Sequence, residues 1–344
     1  MFCFALLFSC PACIPTYLDA GAMGPLLQIT TSPAGAAVGD AKPIFDSIEG
    51  RVGHHGVTVV ELANHELLAA WYSYEGPHEL DGASIFTAKL PVGSDEWTTP
   101  TRIEGLPDRS ANPLLFIDGD TIHLLFAYVP QMWWSATLMQ CDSTDGGATW
   151  SAPRDIGAGL GGNVRNPPIL FDDGSWLLPA YSDFWLHGFL LRSTDGTNWT
   201  RGTTWIAEGD NALLQPAIAR SDDAESLLMV ARNRGGHRID ASASNDLGVN
   251  WTRPIETEFP NPDSAVALAR LSDHSLLMVF NDSGEDRTPL VAVRSTDGGA
   301  TWGDRRVLAD DEREFSYPTI VESSERGLMV FYSEGRERIV WVGL

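Results

Sequence analysis

Six side chains recur at matched places along this chain: His55, Asn112, Asn166, Gln215, Ser264 and Tyr317. Each stands 11 or 12 residues before a leading leucine and directly before a short apolar run. Four of them precede proline, in Asn112-Pro, Asn166-Pro, Gln215-Pro and Tyr317-Pro. A second set falls where the next apolar run ends: Tyr72 to Glu75, Tyr128, Tyr181, Arg232, Asn281 and Tyr332. The connections that follow add Asp81, Arg234, Arg238 and Arg287. Brought together, these residues offer phenols, amides, guanidiniums, carboxylates and an imidazole. A planar guanidinium grips a carboxylate with two parallel hydrogen bonds. Histidine is the commonest proton-transfer group near neutral pH. A concave site carrying such groups is where a ligand belongs.

A repeat must position them. Four segments match one another: Ser143-Thr-Asp145-Gly-Gly-Ala-Thr-Trp150, Ser193-Thr-Asp195-Gly-Thr-Asn-Trp199, Ser244-Asn-Asp246-Leu-Gly-Val-Asn-Trp251 and Ser295-Thr-Asp297-Gly-Gly-Ala-Thr-Trp302. Their aspartates recur at intervals of 50, 51 and 51 residues. Ser94-Asp-Glu-Trp97 is a degenerate fifth copy. Ser and Asp cap their own backbone in a tight turn, and glycine supplies positive φ. The tryptophan then anchors the following strand. These turns read as structural. The second copy is one residue shorter from Asp to Trp, so its turn must differ.

The leading leucines Leu67, Leu124, Leu177, Leu227, Leu276 and Leu328 give the number of units. They lie 57, 53, 50, 49 and 52 residues apart, each just after a polar turn. Each unit reads as strand, hairpin, strand, then two further strands joined by the Asp-box turn. Six such units predict an all-β, six-bladed β-propeller with four-stranded antiparallel blades. The first strand of each blade lines the axis, so the six matched residues are expected at one mouth of the channel and the Asp boxes on the opposite face.

The chain has 344 residues and a formal net charge of −23. That charge excludes a nucleic-acid partner, which needs a basic face. An anionic ligand needs a local arginine cluster within this repelling field. Residues 1–14, MFCFALLFSCPACI, carry three of the four cysteines and resemble an export signal, which predicts a secreted or periplasmic protein. Residues 1–40 read as leader and linker, and 41–344 as the propeller. Cys10 loosely suggests a lipid-attachment site. Past residue 30 there is no stretch of apolar residues long enough to cross a membrane. Cys141 is the lone cysteine of the body, so its fold rests on its core. No metal-ligand spacing or cofactor-binding loop is present, and no cofactor is expected.

The Asp boxes, their spacing and the six-unit count resemble the sialidase (neuraminidase) superfamily over roughly residues 45–344. Leu214-Gln-Pro, Phe259-Pro-Asn-Pro and Phe315-Ser-Tyr-Pro look like its bacterial predicted-neuraminidase branch. The resemblance implies three arginines clamping a substrate carboxylate, a Tyr nucleophile with a carboxylate partner, and an Asp acid/base. A phenol avoids repelling an anionic sugar, and sialidases are a Tyr exception among glycosidases. Tyr317 matches the nucleophile, Arg232 the second clamp arginine and Arg287 the third. Asp81, 26 residues after His55, matches the acid/base. Gln215, Asn166, Asn112, Tyr72 and Arg238 join them as substrate-binding residues. Two departures stand out. His55-Gly-Val replaces the first clamp motif, and Gln215 stands where a carboxylate should activate the tyrosine. Glu75 or Glu314 is then the substitute, or the mechanism differs.

The resemblance implies an exo-acting glycoside hydrolase that releases terminal sialic acid or a related acidic sugar from a glycan or glycoconjugate. A rival is a lyase or non-sialic glycosidase on uronic-acid polysaccharides, with His55 as base and Tyr317 or Tyr72 as acid. A third reading is a non-catalytic glycan-binding propeller, favoured by the missing arginine and by Gln215. The oligomeric state is not encoded in any recognisable pattern.

Overall fold

The computed structural model describes residues 17–18, 28–29, 38–205, 212–221 and 225–344. The leader-like segment 1–14, with Cys3, Cys10 and Cys13, lies outside the described residues. Among those residues no helix is long and apolar enough to cross a membrane.

The expected architecture is met. Six antiparallel sheets follow one another along the chain. Blade 1 comprises Gly53–Glu61, Leu67–Tyr74, Ser84–Leu90 and Thr101–Arg102. Blade 2 runs from Ser110–Asp118 through Thr121–Tyr128 and Thr137–Ser143 to Arg154–Asp155. Blade 3 has a split inner strand, Gly162–Val164 and Ile169–Leu170, then Trp176–Ser182, His187–Ser193 and Thr200–Trp205. Blade 4 comprises Ala212–Arg220, Leu227–Arg234, Arg238–Ser244 and Ile255–Pro260. Blade 5 comprises Ala267–Arg270, Leu276–Asn281, Leu290–Ser295 and Thr301–Ala309.

Blade 6 closes the ring. Its first three strands are Phe315–Ser323, Gly327–Glu334 and Arg338–Gly343, and its outer strand is Lys42–Pro43. Pro43 pairs with Val340 and Lys42 with Trp341. Ile44 and Phe45 then enter a core with Trp71, Phe331 and Ile339. The Phe45 ring stacks on Trp71, 5.0 Å between centroids. Strand pairing between the two chain ends removes the free edges that an open sheet would present.

Apolar residues from neighbouring blades share the cores between them. Leu68 and Ile85 of blade 1 pack in one cluster with Leu115 and Phe126 of blade 2. Ala217 and Val230 of blade 4 pack with Leu268 and Met278 of blade 5. The Asp boxes are structural, as their side chains predict. Ser143 Oγ donates to Asp145 and accepts from Gly147 N at 2.9 Å, while Asp145 accepts Thr149 N at 2.9 Å. The Asp246 and Asp297 boxes repeat these bonds. The shorter second copy differs as expected. Asp195 accepts from Thr197 N and Asn198 N, and Trp199 Nε1 reaches Gln140 of blade 2 at 3.0 Å. In the degenerate copy, Trp97 packs edge-on against Phe331 of blade 6.

The box turns join third to outer strands. The hairpins joining second to third strands therefore lie at the other end of every antiparallel blade, beside the starts of the inner strands. Phe45→Ala should cost about 3 kcal/mol, because it opens a cavity at the seam that closes the ring. Denaturant unfolding measures this; an unchanged midpoint would show that the seam contributes little.

Candidate active site

The inner strands are interrupted where the sequence pattern places its polar ring. Pairing with the second strand shifts register between His55 and Thr58, Ala111 and Leu114, Leu214 and Ala217, and Ser316 and Thr319. Within each interruption one residue takes a left-handed backbone: Gly56, Asn112, Gln215 and Tyr317. Asp263, ahead of the blade 5 inner strand, does the same. A bulge leaves an extra residue unpaired and re-aims its side chain. Proline fits the following position because it has no N–H to lose. In this way Asn112, Gln215, Asp263 and Tyr317 reach a common cavity.

Three of the six expected ring positions are corrected by the structure: His55, Ser264 and, in blade 3, Asn166. In blade 1 the bulge residue is Gly56, not His55. A Cβ on Gly56 would lie 3.0 Å from the Tyr72 ring in a left-handed backbone, so a side chain there would be strained and would crowd that ring. In blade 5 the ring position belongs to Asp263, while Ser264 is fully buried. His55 is 1 % exposed, does not line the cavity, and packs its ring 4.1 Å from that of Tyr317. Burial, reinforced by Arg336, Arg287, Arg165 and Arg232, pushes its pKa well below the usual imidazole value.

Blade 3 departs from the pattern, since its inner strand is broken between Val164 and Ile169. Arg165 from the gap runs inward. Its Nη2 lies within 3.1 Å of the Val57, Tyr317 and Pro318 carbonyls and of Thr319 Oγ1, tying blade 3 to blades 1 and 6. Asn166 is buried and donates to the Gln215 and Pro216 carbonyls, so it links blade 3 to blade 4 and does not line the cavity.

The cavity holds about 330 Å³ and is lined chiefly by polar side chains. Blades 4, 5 and 6 supply Arg232, Arg234, Arg287 and Arg336. Arg232 Nε lies 2.9 Å from Asp263 Oδ1, and its Nη1 donates to Gln215 Oε1 at 3.1 Å. Arg287 donates to Glu314 at 3.3 Å and to the Asp263 carbonyl at 3.1 Å. Its guanidinium sits 5.9 Å from the Tyr317 ring centroid. Arg336 is held by Glu79 at 2.6 Å and Glu314 at 3.0 Å. Burial raises the Glu314 carboxyl, but Arg287 and Arg336 outweigh it and hold the pKa below the usual value.

Gln215 sits at the centre. Its Nε2 donates to Tyr317 Oη at 3.0 Å and to Tyr181 Oη at 3.2 Å. Because Arg232 donates to its Oε1, the amide orientation is fixed with Nε2 toward both phenols. Tyr181 also accepts from Asn112 Nδ2 at 3.3 Å. Among the described residues no carboxylate is hydrogen-bonded to Tyr317.

Several other expected residues stand elsewhere. Asp81 does not line the cavity; its carboxylate accepts the backbone N–H of His78 at 3.0 Å. Glu75 pairs with Arg51 at 3.2 Å and faces solvent. Tyr72 is buried and supports the site indirectly, donating to Glu79 at 3.1 Å. Arg238 turns outward to the Glu258 carbonyl and Glu256. Conversely, the sequence pattern did not single out Glu79, Asp183, Asp263 or Arg336, all of which line the cavity. Asp183 and Arg336 follow Leu177 by six residues and Leu328 by eight, at the start of the second-to-third hairpins. Extending the leucine offset into every hairpin reaches both.

The local charge balance decides what can bind. Arg165, Arg232, Arg234, Arg287 and Arg336 contribute five positive charges. Glu79, Asp183, Asp263 and Glu314 contribute four negative ones when all are ionised. Five minus four leaves a net +1 in a chain of net −23. The cavity is therefore locally far less negative than the chain as a whole. Among the described residues no group of three or more His, Cys, Asp or Glu side chains could hold a metal ion.

The chain belongs to the BNR repeat-like domain family, whose pattern matches residues 65–330. A sialidase of Bacteroides fragilis is 25% identical over 58% of this chain and 42% of its own length, so this chain spans less than half of that relative. A protein of unknown function from Dyadobacter fermentans superposes with a TM-score of 0.76 at 17% identity, covering 89% of this chain and 97% of its own. A Hadza microbial sialidase superposes with a TM-score of 0.73 at 16% identity, covering 88% and 68%. These likenesses establish a sialidase-like propeller fold.

Glu314→Gln should loosen Arg287 and Arg336 together. Calorimetric affinity for a free sugar acid is expected to fall about tenfold, roughly 1.4 kcal/mol, with a neutral sugar as control. Unchanged affinity would show that Glu314 does not organise the anion site.

Proposed function

We propose that the protein is an exo-acting glycoside hydrolase that releases a terminal acidic sugar of the sialic acid class from a glycan. The observation that carries this reading is the convergence of Arg232, Arg287 and Arg336 on one small cavity beside Tyr317. Three guanidiniums match a carboxylate fixed to a sugar ring. Arg336 takes the part left open by the missing arginine of the first inner strand. It arrives from the blade 6 hairpin, and Glu79 and Glu314 fix its plane. The cavity volume suits a single sugar residue rather than a polymer segment, which supports exo action. The Tyr317 oxygen backs the anomeric carbon and stabilises the cationic character that grows there.

A lyase built on His55 finds no support, because that imidazole is buried away from the cavity. Non-catalytic glycan binding is favoured by one observation. Gln215 gives Tyr317 a hydrogen-bond donor where a proton acceptor would activate it. The two readings differ in product.

The test is incubation with an aryl sialoside and a sialyl-galactoside beside uronic-acid oligosaccharides, with products identified by mass. Release of free sialic acid is expected, together with a loss of about 10²-fold or more in kcat for Tyr317→Phe, at the scale of a group that acts in the transition state. Saturable binding without product would favour the lectin-like reading. An ultraviolet-absorbing unsaturated sugar would overturn hydrolysis.

A further inference from the structure

We propose that Asp183, directly after the second strand of blade 3, is the proton-transfer residue of this site. The proposal rests on the glycoside hydrolase reading above and adds a residue to it. As the bond between the anomeric carbon and the leaving oxygen breaks, its electron pair stays on that oxygen. The oxygen takes the Asp183 carboxyl proton and departs as an alcohol, leaving Asp183 as carboxylate. Water then bonds to the anomeric carbon and gives one proton to Asp183. The free sugar is complete and the carboxyl group is restored.

Elimination and geometry both point here. Three carboxyl groups line the cavity: Glu79, Asp183 and Asp263. Asp263 is committed to Arg232. Glu79 is saturated by Arg336, by Trp133 Nε1 at 2.8 Å and by Tyr72. Among the described residues Asp183 makes no ion pair.

Its surroundings fix it in place. The Asp183 N–H donates to the Gly161 carbonyl at 2.9 Å, and Asn163 Nδ2 donates to Asp183 Oδ2 at 3.1 Å. Asn163 is fully buried, and its Oδ1 accepts the Val164 N–H at 2.9 Å. The amide therefore cannot turn over, and a donor always faces Oδ2. That leaves Oδ1 as the oxygen free to carry a proton. The turn tolerates no bulk, because a Cβ on Gly161 would lie 2.5 Å from the Phe184 nitrogen.

The charged and titratable groups facing Asp183 are Arg232 and Arg234 of blade 4, Glu79 of blade 1 and Tyr181 of its own strand. Burial pushes its carboxyl up to about 6, against the pull of Asn163, Arg232 and Arg234. Tyr181 is no rival as the acid. Burial and the nearby Asp183 charge hold its phenol well above the usual range.

The experiment compares wild type, Asp183→Asn and Asp183→Ala on two sialosides, one with a sugar alcohol leaving group and one with nitrophenol. The poor leaving group needs the proton and the good one does not. Asp183→Asn should lose about 10²- to 10³-fold in kcat/KM on the sialyl-galactoside and less than about tenfold on the nitrophenyl sialoside. An acid must hold its proton, so wild-type kcat/KM on the sialyl-galactoside should fall as pH rises through about 6. That limb should vanish in Asp183→Asn. Equal losses on both substrates, or an undiminished rate on the sialyl-galactoside, overturn the proposal. A flat wild-type profile from about pH 5 to 8 overturns it without any variant. Wild type that cleaves neither substrate overturns the hydrolase reading and this proposal together; the other adverse results remove Asp183 alone.

Discussion

The site depends on a backbone constraint repeated around the ring: five blades begin their inner strand with one residue in the left-handed region. For side chains other than glycine this conformation is costly, and it persists only where surrounding contacts over-determine it. Here the contacts are cross-blade hydrogen bonds. Asn166 holds the Gln215 and Pro216 carbonyls, and Arg165 holds those of Tyr317 and Pro318. The strain turns Asn112, Gln215, Asp263 and Tyr317 out of their sheets and toward one another. Without the bulges these side chains would lie on the pleat and face neighbouring blades.

Around that ring the arginines are oriented by carboxylates. Glu314 serves both Arg287 and Arg336, and Asp263 meets Arg232. Such pairing fixes guanidinium planes before a ligand arrives, which lowers the entropy lost on binding. It also keeps the buried or half-buried cations Arg232, Arg287 and Arg336 tolerable in a confined space. Arg165 is the exception: it is solvated by carbonyl dipoles and the Tyr317 ring, and among the described residues it makes no ion pair. Its role is to brace the channel where blade 3 lacks a continuous inner strand.

The sequence carried the fold almost completely, and part of the site. Asp145, Asp246 and Asp297 make the turns their spacing implies, because those bonds are local and span at most four residues. Arg232, Arg287, Gln215, Asn112 and Tyr317 reach the cavity as the repeat suggested. His55 failed for a physical reason. One extra residue in a strand flips which side chain points inward, and a sequence offset of 11 or 12 cannot tell His55 from Gly56. Asp81 matched by separation alone, yet a turn around His78 uses its carboxylate.

Local chemistry therefore settled the repeat, the blade count and the turns, since each depends on neighbours within a few residues and on alternating apolar runs. The tertiary structure alone decided that Arg336 and Asp183 meet at one cavity and that, among the described residues, Asp183 makes no ion pair there. It also decided that His55 is walled off. Those outcomes depend on bulge phase and on charge pairing between residues separated by up to 257 positions, as in Glu79 and Arg336. Separations of that kind become distances only when the ring closes.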